Sequence, residues 1–167
     1  MTTVVYVIDT SSLIGMRRQC PEDIFPGVWS ALAKLVKEGR LVTCMEVKVE
    51  IERGSDGDLL GWLKHNRAIY RGLDPDQLVT AQEVIAKFTG LVDENKETAD
   101  ADAFLVALAL ASNRINANSF LPMEFVVVTE EGKKRSHIPD AWEHYEIRCM
   151  RFYDMFREEN WKFGPML

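Results

Sequence analysis

The sequence predicts an α/β fold, a three-layer α/β/α sandwich around a short, mainly parallel sheet. Strand-like β-branched runs alternate with stretches of helical periodicity along the chain. The first of these runs, Val4-Val5-Tyr6-Val7-Ile8, is apolar on both faces, as a strand buried between two helical layers must be. The length of 167 residues suits a single domain, 1–167, that buries roughly 70% of the surface its unfolded form exposes.

Each element follows from a local pattern. The Val4–Ile8 strand stops at the polar run Asp9-Thr10-Ser11-Ser12. From Pro26 to Glu38, apolar residues recur at 28, 29, 32, 35 and 36, the spacing of one helix face, and Gly39 closes the helix. Leu41-Val42-Thr43-Cys44 is a second strand, followed by a helix from Met45 to Arg53 that stops at Gly54. Asp58 to Arg71 and Pro75 to Phe88 read as two amphipathic helices, joined at Gly72-Leu73-Asp74 with the proline in a first helical turn. Asp102 to Ala111 is almost wholly apolar, the mark of a buried helix. Phe125-Val126-Val127-Val128 is a third strand; a polar loop from Glu130 to His137 and a turn from Pro139 follow it. Glu146 to Met150 predicts a fourth strand and Tyr153 to Asn160 a final helix.

Composition narrows the function classes. With 47% hydrophobic and 28% charged residues the chain is neither disordered nor fibrous. No run approaches the ~20 apolar residues of a membrane span, and the start Met1-Thr2-Thr3 has no basic leader pattern, so no membrane partner and a cytoplasmic location are expected. Cys20, Cys44 and Cys149 form no C-x-x-C pair and are expected as reduced core residues. His65, His137 and His144 have no zinc spacing. A net charge of −6 argues against a protein that holds nucleic acid by bulk electrostatics, though not against an enzyme whose acids gather cations.

In open sheets of this kind ligands sit beyond the carboxyl ends of the strands. Asp9 follows the first strand, and Thr129-Glu130-Glu131 follows the third. Glu46 and Glu50, four apart on one helix face, follow the second, and Asp100-Ala101-Asp102 opens the apolar helix. Singly these acids have plain roles: Asp9, Asp100 or Asp102 as helix N-caps, Glu46 and Glu50 as solvated helix surface, Glu130 and Glu131 as loop charges. Together at one edge they repel unless a cation neutralises them. An all-oxygen donor set suits Mg²⁺ or Mn²⁺ and points to metal-assisted phosphodiester or phosphoryl chemistry. There is no G-x-G-x-x-G, G-x-x-x-x-G-K-[ST] or G-x-S-x-G motif, and Ser11 stands where a haloacid-dehalogenase-type phosphatase needs a second Asp.

Four segments, in order, resemble the PIN-domain nucleases, the fold of the VapC-type toxins and of RNA-processing factors. Val7-Ile8-Asp9-Thr10-Ser11-Ser12-Leu13-Ile14 is similar to the family's first-strand motif, and Val49-Glu50-Ile51-Glu52-Arg53-Gly54 to its E-L-x-x-G element. Ala101-Asp102-Ala103-Phe104-Leu105-Val106-Ala107 resembles its A-D-A helix start, and Val127-Val128-Thr129-Glu130-Glu131 its V-T-x-D element, with Glu in place of Asp. Ile138-Pro139-Asp140 and Trp161 resemble a VapC-related branch.

The resemblance implies Asp9, Glu50, Asp102 and Glu131 as catalytic metal ligands, with Glu46, Asp100 and Glu130 as alternates and Ser11 and Thr129 orienting ligands or water. It implies an Mg²⁺- or Mn²⁺-dependent ribonuclease acting on RNA, with a small antitoxin protein and a second copy of the chain (a homodimer) as further partners. Two divalent ions on four acids would move the formal charge from −6 to about −2. Lys133, Lys134, Arg135, Arg17 and Arg18 are candidates for holding flanking phosphates or are plain loop charges; Trp29 and Trp62 have the helical spacing of core residues, and Trp142 is a candidate for base stacking. The competing expectations are a binding scaffold on the same fold with idle acids, and a phosphatase-like α/β domain.

Overall fold

The computed structural model describes residues 2–54, 56–87, 101–131 and 143–164. It is an α/β fold whose sheet has four strands, all parallel, in the order β2-β1-β3-β4, flanked by helices in a three-layer sandwich. In chain order the elements are β1 (Thr3–Ile8), α1 (Thr10–Gln19), α2 (Pro26–Lys37), β2 (Leu41–Val42), α3 (Met45–Arg53), α4 (Gly57–His65), α5 (Pro75–Lys87), α6 (Ala101–Asn116), β3 (Met123–Val128), β4 (Cys149–Met150) and α7 (Phe152–Glu158). Among the described residues no helix is long and apolar enough to cross a membrane.

The two central strands are the two longest, six residues each. β1 and β3 pair along their full length, Thr3 with Met123 through Ile8 with Val128, and both are buried from their middle to their carboxyl ends. Helix α6 buries ten residues, among them Leu105 to Ser112 in sequence, and packs on β3, β1, α3 and α5. Its run from Ala103 to Ala111 has no polar residue, as a helix buried on most of its faces requires.

Three differences from the sequence expectations have physical causes. Residues 10–19 form a helix that no apolar periodicity announces; Asp9 starts it, its carboxylate accepting the Ser12 backbone N–H at 2.7 Å. The helix expected over Asp58–Arg71 ends at His65, where Asn66 turns back to bond the Trp62 carbonyl; a 3₁₀ turn over Arg67–Ile69 then brings Tyr70 beside Thr43. Cys20 and Cys44 are buried as expected, but Cys149, on the edge strand β4, is exposed. The Phe88 end of α5, the loop beyond Glu131 through His137, and the turn from Pro139 lie outside the described residues.

Trp29 and Trp62 are buried and meet edge to face at 5.3 Å, so both are core residues; Trp142 lies outside the described residues. The C-terminal helix is clasped to the start of the fold. Tyr6, wholly buried on β1, donates its hydroxyl to Glu159 Oε1 at 2.8 Å, and the Arg40 guanidinium takes both oxygens of the same carboxylate while its Nε donates to the Val4 carbonyl at 3.1 Å. Each buried polar group here has a charged partner, the condition under which such burial is tolerable.

Candidate functional site

The parallel register decides where the acids arrive. Because Ile8 pairs with Val128, the residues that follow, Asp9 and Thr129, leave the sheet side by side at the carboxyl end of the two central strands. The Thr129 hydroxyl donates to Asp9 Oδ2 at 2.5 Å and the Ser11 hydroxyl donates to the same oxygen at 2.7 Å. Each hydroxyl in turn accepts a backbone N–H: Glu130 N–H onto Ser11 Oγ at 3.0 Å, Glu131 N–H onto Thr129 Oγ1 at 3.1 Å. An amide N–H can only donate, so both hydroxyl protons are left for Asp9, and a third donor, the Ser12 N–H, takes its other oxygen. Burial pushes the Asp9 carboxyl above the usual carboxylate range, and these hydrogen bonds from Thr129, Ser11 and Ser12 pull it part of the way back.

Glu50 comes from α3 and is tied at both oxygens. Oε1 accepts the backbone N–H of Ala101, the first residue of α6, at 3.0 Å, and Oε2 accepts the Thr10 hydroxyl. The carboxylate thereby satisfies one of the amides that a helix N-terminus leaves without an intrahelical acceptor.

Asp9, Thr10, Ser11, Ile14, Glu50, Asp102 and Glu131 line one cavity of about 350 Å³. Four carboxylates, from the end of β1, from α3, from the first turn of α6 and from the segment after β3, therefore share one space. The chemistry of this donor set fits a hard divalent cation of the Mg²⁺ or Mn²⁺ kind, and does not fit zinc, which prefers nitrogen and sulfur. Among the described residues no three His, Cys, Asp or Glu side chains are gathered closely enough to hold an ion as they stand. Among the described residues the acids line the cavity without closing on a common point.

The alternates separate from this group. Glu130 turns away: its Oε1 accepts the backbone N–H of Phe152 at 3.0 Å and so caps α7, leaving Glu131 as the acid at the cavity. Glu46 shares α3 with Glu50 but is not among the residues lining the cavity. Asp100, Lys133, Lys134 and Arg135 lie outside the described residues. Arg17 is committed elsewhere, bridging to Asp56 at 2.6 Å and Asp58 at 2.7 Å at the start of α4, while Arg18 is exposed. Among the described residues, Thr10 is the polar cavity residue that sequence reasoning missed; its place directly after Asp9 in the first-strand motif was the available signal.

A larger cavity, about 970 Å³, opens between α1, α2 and α4 above Trp29 and Trp62. It lies away from the strand ends and contains none of the four acids, so the smaller cavity is the functional candidate.

A family model matches residues 6–163, nearly the whole chain, and its description is "Domain of unknown function (DUF4411)". No curated protein and no solved structure matches the chain.

Proposed function

The chain belongs to the DUF4411 family, and we propose that it is a metal-dependent endoribonuclease using Mg²⁺ or Mn²⁺, as its resemblance to PIN-domain nucleases implies. One observation supports this most: four carboxylates from four separate segments line a single cavity at the carboxyl edge of a parallel sheet. Carboxylates are not brought together in this way for stability, since each adds repulsion and a desolvation cost to the others.

Asp9, Glu50, Asp102 and Glu131 would hold the ion. Bound there, it would lower the pKa of a water toward neutrality and offset the charge that builds on the phosphate. The protein's own part is to keep the ligand oxygens preset. Ser11 and Thr129 direct their protons at Asp9, which favours its ionised form against burial. On this reading RNA is the substrate and the location cytoplasmic. If the chain is a toxin of a toxin–antitoxin pair, its antitoxin blocks the cavity most economically by offering an Arg or Lys to the carboxylates.

The test is nicking of single-stranded RNA in Mg²⁺ or Mn²⁺ by wild type, Asp9→Asn and Asp102→Asn. The expected loss in each variant is about 10²-fold or more, with the fold retained by circular dichroism; full activity in chelator, or in both variants, refutes the proposal.

A second reading, a binding scaffold that needs no ion, is favoured by one specific observation: Asp9 and Glu50 already have protein donors on all four of their oxygens. Calorimetric titration with Mn²⁺ separates the two, since a scaffold of this kind gives no heat.

A further inference from the structure

We propose that Thr10 is a positioning residue for the candidate metal centre, its hydroxyl presetting the Glu50 carboxylate for the ion; this rests on the metal-dependent reading above. Asp9 has a short side chain and three donors on it. Glu50 has one more rotatable bond and, among the described residues, two donors, the Ala101 N–H and the Thr10 hydroxyl. The first is main chain and comes with α6. The second is a side chain from another element, α1, 40 positions away in sequence, and it reaches across the cavity that both residues line.

Without Thr10 the carboxylate keeps one tether and can swing about it, so an arriving ion must order the side chain as well as bind it. Thr10 stands one residue after Asp9, so one turn of backbone fixes two acids: Asp9 through its own capping of α1, and Glu50 through the hydroxyl on the first residue of the same helix. Ser11 and Thr129 serve Asp9 alone in these contacts, so their loss does not substitute for the loss of Thr10. The relation is that of an outer donor orienting a metal-ligating carboxylate, where loss of the donor typically costs 10–100-fold in affinity.

The experiment is calorimetric titration of wild type, Thr10→Val, Thr10→Ala and Thr10→Ser with Mn²⁺ alone, each first shown to melt cooperatively in chelator. Valine keeps the shape and loses the hydroxyl; serine keeps the hydroxyl. Thr10→Val and Thr10→Ala are expected to bind Mn²⁺ about 10–100-fold more weakly, and Thr10→Ser to recover most of the affinity. RNA cleavage by Thr10→Val is expected to recover as Mn²⁺ is raised, which a general structural defect would not do. In chelator, melts of Thr10→Val, Glu50→Ala and the double variant are expected to be non-additive, because two changes then break one bond. Wild-type affinity in Thr10→Val, failure of serine to rescue, additivity in the cycle, or loss of cooperative melting in both Thr10→Val and Thr10→Ala overturns the proposal. If wild type itself binds no Mn²⁺, the metal-dependent reading falls and this one with it; if wild type binds and Thr10→Val binds equally, only the present proposal falls.

Discussion

Asp9 caps α1 and lines the cavity with the same carboxylate, and this double duty sets what its replacement does. Crowded acids alone would make Asp9→Asn stabilising in the absence of metal, because one repelling charge is gone. The hydrogen bonds reverse that sign. An asparagine can still accept the Ser12 N–H, but its NH₂ faces the Ser11 and Thr129 hydroxyls, whose protons are directed at that position because both already accept backbone N–H groups. A buried donor facing two donors costs about 1–3 kcal/mol, so Asp9→Asn is expected to lose about that much in urea unfolding with chelator present, and to show little response to Mn²⁺. A gain in metal-free stability would mean that repulsion outweighs the donor set.

At the scale of elements, Glu130 and Glu131 are neighbours in sequence with opposite duties. Glu130 caps α7, whose own N-cap residue, Arg151, makes no side-chain cap bond. Glu130→Ala is therefore expected to lose about 0.5–2 kcal/mol with its Mn²⁺ response intact, and Glu131→Gln to lose much of that response; melting curves with and without Mn²⁺ check both. This pair also marks a limit of the sequence. Which of two adjacent acids turns to the cavity depends on where Phe152 sits, 22 positions on, and no local pattern encodes that. By contrast β1, β3 and α6 were plain, since their apolar runs have nowhere to go but the core. Helix α1 was hidden for the opposite reason. Thr10, Ser11, Ser12 and Gly15 have poor helix propensity and only Ser12, Leu13 and Met16 are buried, so the helix is made by its cap and by packing on α3 and α4 rather than by its composition. Asp9, Asp102 and Glu131 were legible because each lies at the end of an element that was itself legible, and Ser11 and Thr129 were named beside them; Thr10 and the main-chain donors were not, since their role depends on where Glu50 and Asp9 end up in space.

For the molecule as a whole, an ion that binds the folded chain and hardly the unfolded one stabilises by RT ln(1 + [L]/Kd), about 2.7 kcal/mol at 100 times Kd, or a few degrees of melting temperature. A melting point indifferent to millimolar Mn²⁺ would count against the ion site as a whole. Alkali acts in the other direction. Burial holds the Tyr6 hydroxyl and the Cys44 thiol well above their usual ranges, helped by Glu159 for the first and Glu46 for the second, and burial with Glu52 pushes Tyr70 up to about 12. Folded pKa values raised above the unfolded ones mean stability that is complete below the unfolded values, about 8.5 for Cys and 10 for Tyr, and lost as pH rises past them. Urea midpoints are expected to fall from about pH 9 upward, less steeply in Cys44→Ala.

The clasp on Glu159 also places the molecule in time. Glu159 follows Tyr6 by 153 positions, which at about 5–20 residues per second is roughly 8–30 s of translation. Only over the last part of that interval, after Glu131 is made, does the nascent chain hold Asp9, Glu50, Asp102 and Glu131 together while the strand that carries Asp9 still awaits its last partner. A chain stopped after residue 145 has all four acids but neither β4, α7 nor the clasp, and it is expected to show no Mn²⁺-dependent shift on melting. If the acids do cut RNA, the messenger being read by the same ribosome is the nearest RNA of all, and the protein cannot cut it until Glu159 has been made and the clasp has closed.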